Sequence, residues 1–297
     1  KINLYNVETP LLENRVPVQD FEVALTTDTK ILDASTTNNK LSLHYDKDIT
    51  VHIKDMNISI PQGDDPLDLP IKTTIFGENS SFLDMDNNKT VLSERYTLTL
   101  FKDRVHLNSK RGKSSFEYEK RKGILGIQAT SLDSDAINAL FNRHYFHQGD
   151  FSLSIDGVDN HNMQGTFIMH KTYIKDLKFF NNLMATINAI PSLLVFNDPN
   201  FNTEGYFVEN GYVEFNQSKE EMHIKEIQLR GKSADIVGAG KVNLIPSTLD
   251  LKLQIKTLKT FSSAIDMIPL VGGIILGDDK RISTNVDVTG QIGRAHV

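Results

Sequence analysis

The stretch Leu249-Asp250-Leu251-Lys252-Leu253-Gln254-Ile255 sets an apolar residue at every second position and a polar one between. A chain whose side chains alternate with period two is a strand that turns one face to an apolar environment and the other to water. The signature recurs. Ile49, Val51 and Ile53 alternate with Thr50, His52 and Lys54, and Tyr96, Leu98 and Leu100 repeat the pattern. Val105 and Leu107 resume it after Lys102-Asp103, which reads as a hairpin turn, and Val286 and Val288 close the series.

Turn-forming pairs punctuate these runs: Asn87-Asn88, Arg111-Gly112, Asp156-Gly157, Asn210-Gly211 and Gly231-Lys232. Successive strands are therefore expected to pair antiparallel, as a meander. Helical stretches are too few to supply the crossovers of a parallel sheet. The strands outnumber what a flat open sheet tolerates, so the sheet has to curl, split into a sandwich or close, and periodicity does not choose among the three.

Three segments follow a helical period instead. Asp133 to Asn142 carries Ala136, Ile137, Leu140 and Phe141 at helical spacing, with Asp133 or Ser134 as the N-cap. Lys178 to Phe196 aligns Phe180, Leu183, Met184, Ile187, Ile190 and Leu194 on one stripe, which Pro191 kinks or restarts. Leu258, Phe261, Ile265 and Ile268 repeat the device before Pro269, so that Ile187-x-x-Ile190-Pro191 is echoed by Ile265-x-x-Ile268-Pro269. The run Ile268 to Leu276 is apolar on every side, which puts Ile274 and Ile275 on this last helical element.

Composition narrows the classes. Of 297 residues, 39% are hydrophobic and 24% charged, as in an ordered protein of one or two domains, and the formal net charge of -6 argues against a nucleic-acid partner. Cysteine is absent, which removes disulfides and thiolate chemistry. The longest apolar run is about half of the roughly 20 residues that a membrane-spanning helix needs. The chain opens at Lys1 without a leader and is expected to begin mid-protein. Its last six residues, 292–297, read like a translated sequencing adapter and are set aside, so the natural chain is expected to continue past Gly290.

The sequence contains no nucleophile elbow, phosphate-binding glycine loop, dinucleotide fingerprint or helical zinc-protease motif. His144 and His147 lie near Asp133, Asp135 and Asp150, with His161 and His170 following, but loose spacing is not metal coordination. Gly277-Asp278-Asp279-Lys280 reads as a turn into the final strand. The basic residues Lys110, Arg111, Lys113, Lys120, Arg121 and Lys122 alternate with Glu117 and Glu119, as on a solvated hairpin or a face that meets anionic lipid headgroups. The expectation is a protein without catalytic residues, metal or cofactor. By period alone, its apolar strand faces read as packed core before they read as a ligand groove.

A resemblance shifts that balance. The segment Leu183-Met184-Ala185-Thr186-Ile187-Asn188-Ala189-Ile190-Pro191-Ser192-Leu193-Leu194-Val195-Phe196-Asn197-Asp198-Pro199-Asn200-Phe201-Asn202-Thr203-Glu204-Gly205-Tyr206 resembles the C-terminal part of AsmA-like proteins of the YhdP type. The likeness continues in order through Ile227-Gln228-Leu229-Arg230-Gly231, Ile236 to Leu244, Leu249-Asp250-Leu251 and Ile268 to Asp279. It covers about residues 115 to 290, and departs where Gly273 stands in place of an aromatic residue.

The resemblance implies a mainly β fold: a long curled antiparallel sheet forming an open trough, with two or three short amphipathic helices. Residues 1–114 would be a groove segment, 115–290 the AsmA-like C-terminal region and 292–297 the adapter-like tail. It implies a non-enzymatic, periplasmic conduit for phospholipid between bacterial inner and outer membranes, supporting outer-membrane integrity. The full-length protein would be anchored in the inner membrane by an N-terminal segment and would reach the outer membrane at its C-terminal end. Lipid would run over Val51, Ile53, Leu98, Leu100, Leu249, Leu251, Leu253, Ile255, Val286 and Val288. Phe180, Leu183, Ile187, Ile190, Phe261, Ile265, Ile268, Ile274 and Ile275 would form plug or membrane-contact helices. The rival is a structural or adhesive β-sandwich with an ordinary closed core.

Overall fold

Why the period-two stretches become strands is visible in what each strand finds beside it. A computed structural model describes residues 2–7, 19–26, 30–56, 58–60, 69–84, 89–141, 144–158, 162–175, 205–232, 234–257, 274–276 and 282–291. The chain divides into two compact units, residues 1–132 with 139–142, and residues 133–138 with 143–297.

The first unit contains β1 (Ile2–Val7), β2 (Gln19–Thr26), β3 (Ile31–Thr36), β4 (Leu41–Tyr45), β5 (Ile49–Lys54), β6 (Ile58–Ile60), β7 (Leu69–Asp84), β8 (Lys89–Lys102), β9 (Arg104–Arg111), β10 (Ser114–Arg121) and β11 (Ile124–Leu132). They form one ladder that follows chain order except that β5 and β6 both pair with β7, and among the described strands no pairing joins β1 back to β11, so the unit is an open sheet. From β8 onward the turns are two residues long: Phe101 faces Arg104, Arg111 faces Ser114, and Arg121 faces Ile124. Lys102, Gly112, Lys122 and Gly123 hold the positive φ angles that such tight hairpins require.

The expected meander fails at one place. β5 and β6 both run parallel to β7, Ile49 opposite Thr73 and Ile58 opposite Phe82. A direct hairpin needs a short turn, whereas residues 61–68 between β6 and β7 include Pro61, Gly63 and Pro66.

The second unit opens with α1 (Ser134–Phe141), whose last residues fall in the first. Asp133 caps it, its Oδ1 accepting the Ala136 N–H at 2.8 Å. It is the one α-helix among the described residues. There follow β12 (Phe146–His147), β13 (Asp150–Gly157), β14 (Met163–Ile174), β15 (Tyr206–Gln217), β16 (Glu221–Gly231), β17 (Ala234–Asn243), β18 (Thr248–Thr257), β19 (Ile274–Leu276) and β20 (Ile282–Gln291). Strands β13 to β18 pair antiparallel in sequence, and β20 lies between β18 and β19.

Two expectations are corrected here. Ile274 and Ile275 lie in strand β19 against Thr284 and Ser283 of β20, not in a helix. Neighbouring β-branched residues suit a pleated strand, and Gly272-Gly273 before them is a poor helical interior. Asn210-Gly211 is not a turn but the middle of β15, where Gly211 makes room for Met169 across the ladder. A Cβ at Gly211 would fall 2.4 Å from Met169 Cγ. The helices read over 178–196 and 258–268 lie outside the described residues, as do Asn87-Asn88, Gly277 to Lys280 and the 292–297 tail.

The long strands share a device that period-two reading misses. In β7 the inward residues Gly77 and Ser80 are separated by two outward ones, Glu78 and Asn79, with Asn79 at φ 47. The neighbouring chain does the same on both sides: Asp55, after β5, has φ 51 and accepts a 2.7 Å bond from Asn79 Nδ2, and β8 turns Glu94 and Arg95 outward between Ser93 and Tyr96. In the second unit β14 steps at His170-Lys171, with Lys171 at φ 50, opposite a step at Glu209-Asn210 in β15. A left-handed residue lets the strand skip half a period, so its apolar side returns to the same face.

Candidate functional site

Direct cross-strand partners share a face, so the pairings generate rows of side chains. In the first unit one row is Val23, Ala34, Leu43, Val51, Ile75, Leu98, Leu107, Tyr118 and Ile127. Every member is apolar or aromatic. A neighbouring row runs Leu41, Ile53, Gly77, Tyr96, Ser109, Phe116 and Ala129. Ile53 is 2% exposed and Ile75 1%, while Val23, Leu43, Leu100, Val105, Phe116 and Tyr118 are only half-buried against them. The apolar face is thus closed from water at Ile53 and Ile75 and again at Leu125 and Ala129 of β11, and half-open at the side chains between and beside them.

The opposite face is polar. Asp33, His44, Thr50, Thr74, Thr99, His106 and Glu119 face one another in one row, and Arg104 meets Glu119 at 3.0 Å. The Asp33 carboxylate bonded to His44 Nδ1 at 2.6 Å raises the imidazole pKa above its ordinary value. Such exposed pairs orient side chains and stabilise little.

The second unit builds the same kind of face. Leu153, Phe167, Val213, Ile227, Gly238, Leu253 and Val286 form one row; Ile155, Gly165, Phe215, Ile224, Gly240, Leu251 and Val288 form the next. Phe151 and Val288 are fully buried, and Phe146, Phe151 and Phe167 cluster with centroids 5.1 to 5.9 Å apart. Lys252 lies opposite Asp287 and Lys241 opposite Asp250 on the polar side.

Glycines in these rows have a common use. A Cβ at Gly77 would fall 1.8 Å from the Tyr96 ring, at Gly165 2.7 Å from the Phe215 ring, and at Gly238 2.6 Å from Leu253 Cδ2. Each large side chain thus occupies the space that a Cβ on the facing glycine would take. Burial pushes the Tyr96 and Tyr206 hydroxyls far above the ordinary phenol range, and Tyr206 donates to Ala234 O at 2.8 Å.

All ten residues assigned to the lipid surface lie on these apolar faces, four in the first unit and six in the second. Val51 and Leu98 share a row through Ile75; Leu251 faces Val288, and Leu253 faces Val286. Ile75, Phe167, Phe215 and Ile236 belong to the same faces and were missed, because steps and glycines interrupt their alternation; Leu107, read on the apolar phase of its strand, belongs there too. Phe180, Leu183, Ile187, Ile190, Phe261, Ile265 and Ile268 lie outside the described residues. Among the described residues, no three His, Asp or Glu converge as metal ligands, His144 and His147 included.

The model of one protein family, described as YhdP protein, matches residues 28–297. The match therefore begins far upstream of residue 115, where the resemblance seen in the sequence sets in. No curated protein and no solved structure matches the chain.

Proposed function

The chain belongs to the YhdP family, and on that premise we propose that it carries phospholipid, its acyl chains lying along the apolar sheet faces and its headgroups remaining in water. One observation carries the reading. In the first unit an apolar row crosses nine strands in register, on the face of a single open ladder whose other side is polar. A β-sandwich needs a second sheet to cover such a face, and within each unit the described strands make one ladder.

The chemistry requires no reacting group. Each methylene withdrawn from water contributes roughly 0.8 kcal/mol, so a track of half-buried Leu, Val and aromatic side chains retains an acyl chain without fixing its position. In this reading the chain works between two membranes in the periplasm, and a further segment of the full-length protein anchors it to the inner one.

Native mass spectrometry of the purified chain tests the proposal. Co-purified or added phospholipid is expected to remain bound and to be released by detergent. Protein that emerges free of lipid, and takes none from added micelles, would rule it out.

A further inference from the structure

One end of the β8–β11 hairpins differs from the remainder of the first unit. Its tips carry Lys102, Arg104, Lys120, Arg121 and Lys122 against Asp103 and Glu119, a local excess of three positive charges on a chain whose net charge is -6. Arg104 lies directly opposite Arg121 in the ladder. Like charges at that position destabilise a sheet, and Glu119 at 3.0 Å offsets only one of them.

Apolar groups accompany the cations. Ile124 is 65% exposed and Phe101 36%, both in the row Phe101, Arg104, Arg121 and Ile124, with Lys102 Nζ 5.2 Å from the Phe101 ring centroid. On the other side of the same strand ends, Lys120 faces Val105 and Leu125, and Val105 faces Leu100. Lys120 therefore stands within an otherwise apolar row, between Val105 and Leu125, and it makes no ion pair among the described residues. The opposite hairpin end is also basic, at Lys110, Arg111 and Lys113, but there the Glu94 carboxylate accepts the Gly112 N–H at 3.0 Å and brings a negative charge to the tip.

We infer that this end of the sheet docks on the surface of an anionic phospholipid bilayer. Lys102, Arg104, Arg121 and Lys122 meet the headgroups, Phe101 and Ile124 enter the interfacial layer, and Lys120 holds the phosphate of a lipid whose tails lie over the half-buried Val105 and Leu100. The last step rests on the conduit reading; the docking does not. Exposed cations beside exposed apolar side chains match an interface where phosphate lies above acyl carbon.

The test compares co-sedimentation with phosphatidylcholine vesicles and with vesicles containing about 30 mol % phosphatidylglycerol, at low and high salt. The wild-type chain is expected to prefer the anionic vesicles and to lose that preference in salt. K120Q/R121Q/K122Q is expected to lower the anionic partition roughly five-fold per cation, on the order of 100-fold in all. Lys122→Gln alone, at an exposed turn, gives about five-fold and guards against misfolding of the triple variant. The matched control K219Q/K252Q/K256Q changes net charge equally, far away in sequence, and is expected to bind as wild type. Absence of anionic preference, or equal losses in the triple variant and its control, overturns the inference. Bound phospholipid, counted by mass spectrometry in the same preparations, separates the two ideas. Lipid retained without vesicle selectivity sinks the docking surface alone; selectivity without retained lipid sinks the conduit and leaves the surface standing.

Discussion

Replacing Leu100 by Asp should strip lipid from the first unit while leaving it folded. Leu100 lies in β8 between Thr73 and Val105, half-buried at the flank of the cluster centred on Ile75. Complete burial of a leucine contributes about 1.5–3 kcal/mol, so the half that Leu100 buries is worth roughly 1 kcal/mol. The new carboxylate keeps much of its hydration at a half-exposed site. The melting temperature should therefore fall by only about 3–8 °C. A hydrated charge beside the track denies contact to about four methylenes of a bound chain, some 3 kcal/mol, or on the order of 100-fold in lipid retention. Native mass spectrometry would read occupancy and calorimetry the melt. Thr99→Asp, the next residue on the polar face, should leave both unchanged, whereas Ile75→Asp, at a site 1% exposed, should prevent folding of the unit. Wild-type lipid content in Leu100→Asp would refute the reasoning, as would equal loss in Thr99→Asp. A melt as severe as that of Ile75→Asp would mean a closed core.

Two further outcomes follow from single positions. Gly238→Ala should cost more than about 2 kcal/mol in denaturant unfolding, because its Cβ would lie 2.4 Å from the Lys252 carbonyl oxygen; Gly112→Ala, with open space and φ 55, should cost about 1 kcal/mol. Among the eight tyrosines, Tyr96 and Tyr206 should stay protonated in ultraviolet alkaline titration until the protein unfolds. Their folded-state pKa lies above the ordinary value of 10.0, so the stability they contribute is present below that pH and is lost as pH rises beyond it.

The fold was legible wherever alternation ran unbroken. Leu249 to Ile255, Val286 and Val288 were read on the correct phase because β18 and β20 keep a strict period. The Lys102-Asp103 hairpin and the Asp133 cap were legible for the same local reason: turn and cap chemistry needs no partner. Gly211 was misread because a glycine needed for a close cross-strand approach looks, in sequence, like one needed for a turn. The parallel placement of β5 on β7 depends on partners 24 positions apart, which no local window contains. Ile274 and Ile275 followed a helical extrapolation past two glycines, although their branched side chains favour the strand they occupy. The candidate surface was half visible: its apolar phase was in the sequence, but which strands extend it came from the ladder.

The paired outward steps in the long strands have an evolutionary side. Elsewhere in a strand, losing one residue inverts every side chain beyond it, sending apolar groups to water and charges inward. At Glu78-Asn79 the loss of Asn79 would merely restore strict alternation, and the facing step at Glu94-Arg95 could shed Glu94 to match. Lys171 and Glu209 stand in the same relation. These steps are joints at which strand length can change by a single residue, on two neighbours together, without exchanging the two faces. A family built on such strands can lengthen or trim its sheet in small increments while an apolar surface stays continuous throughout.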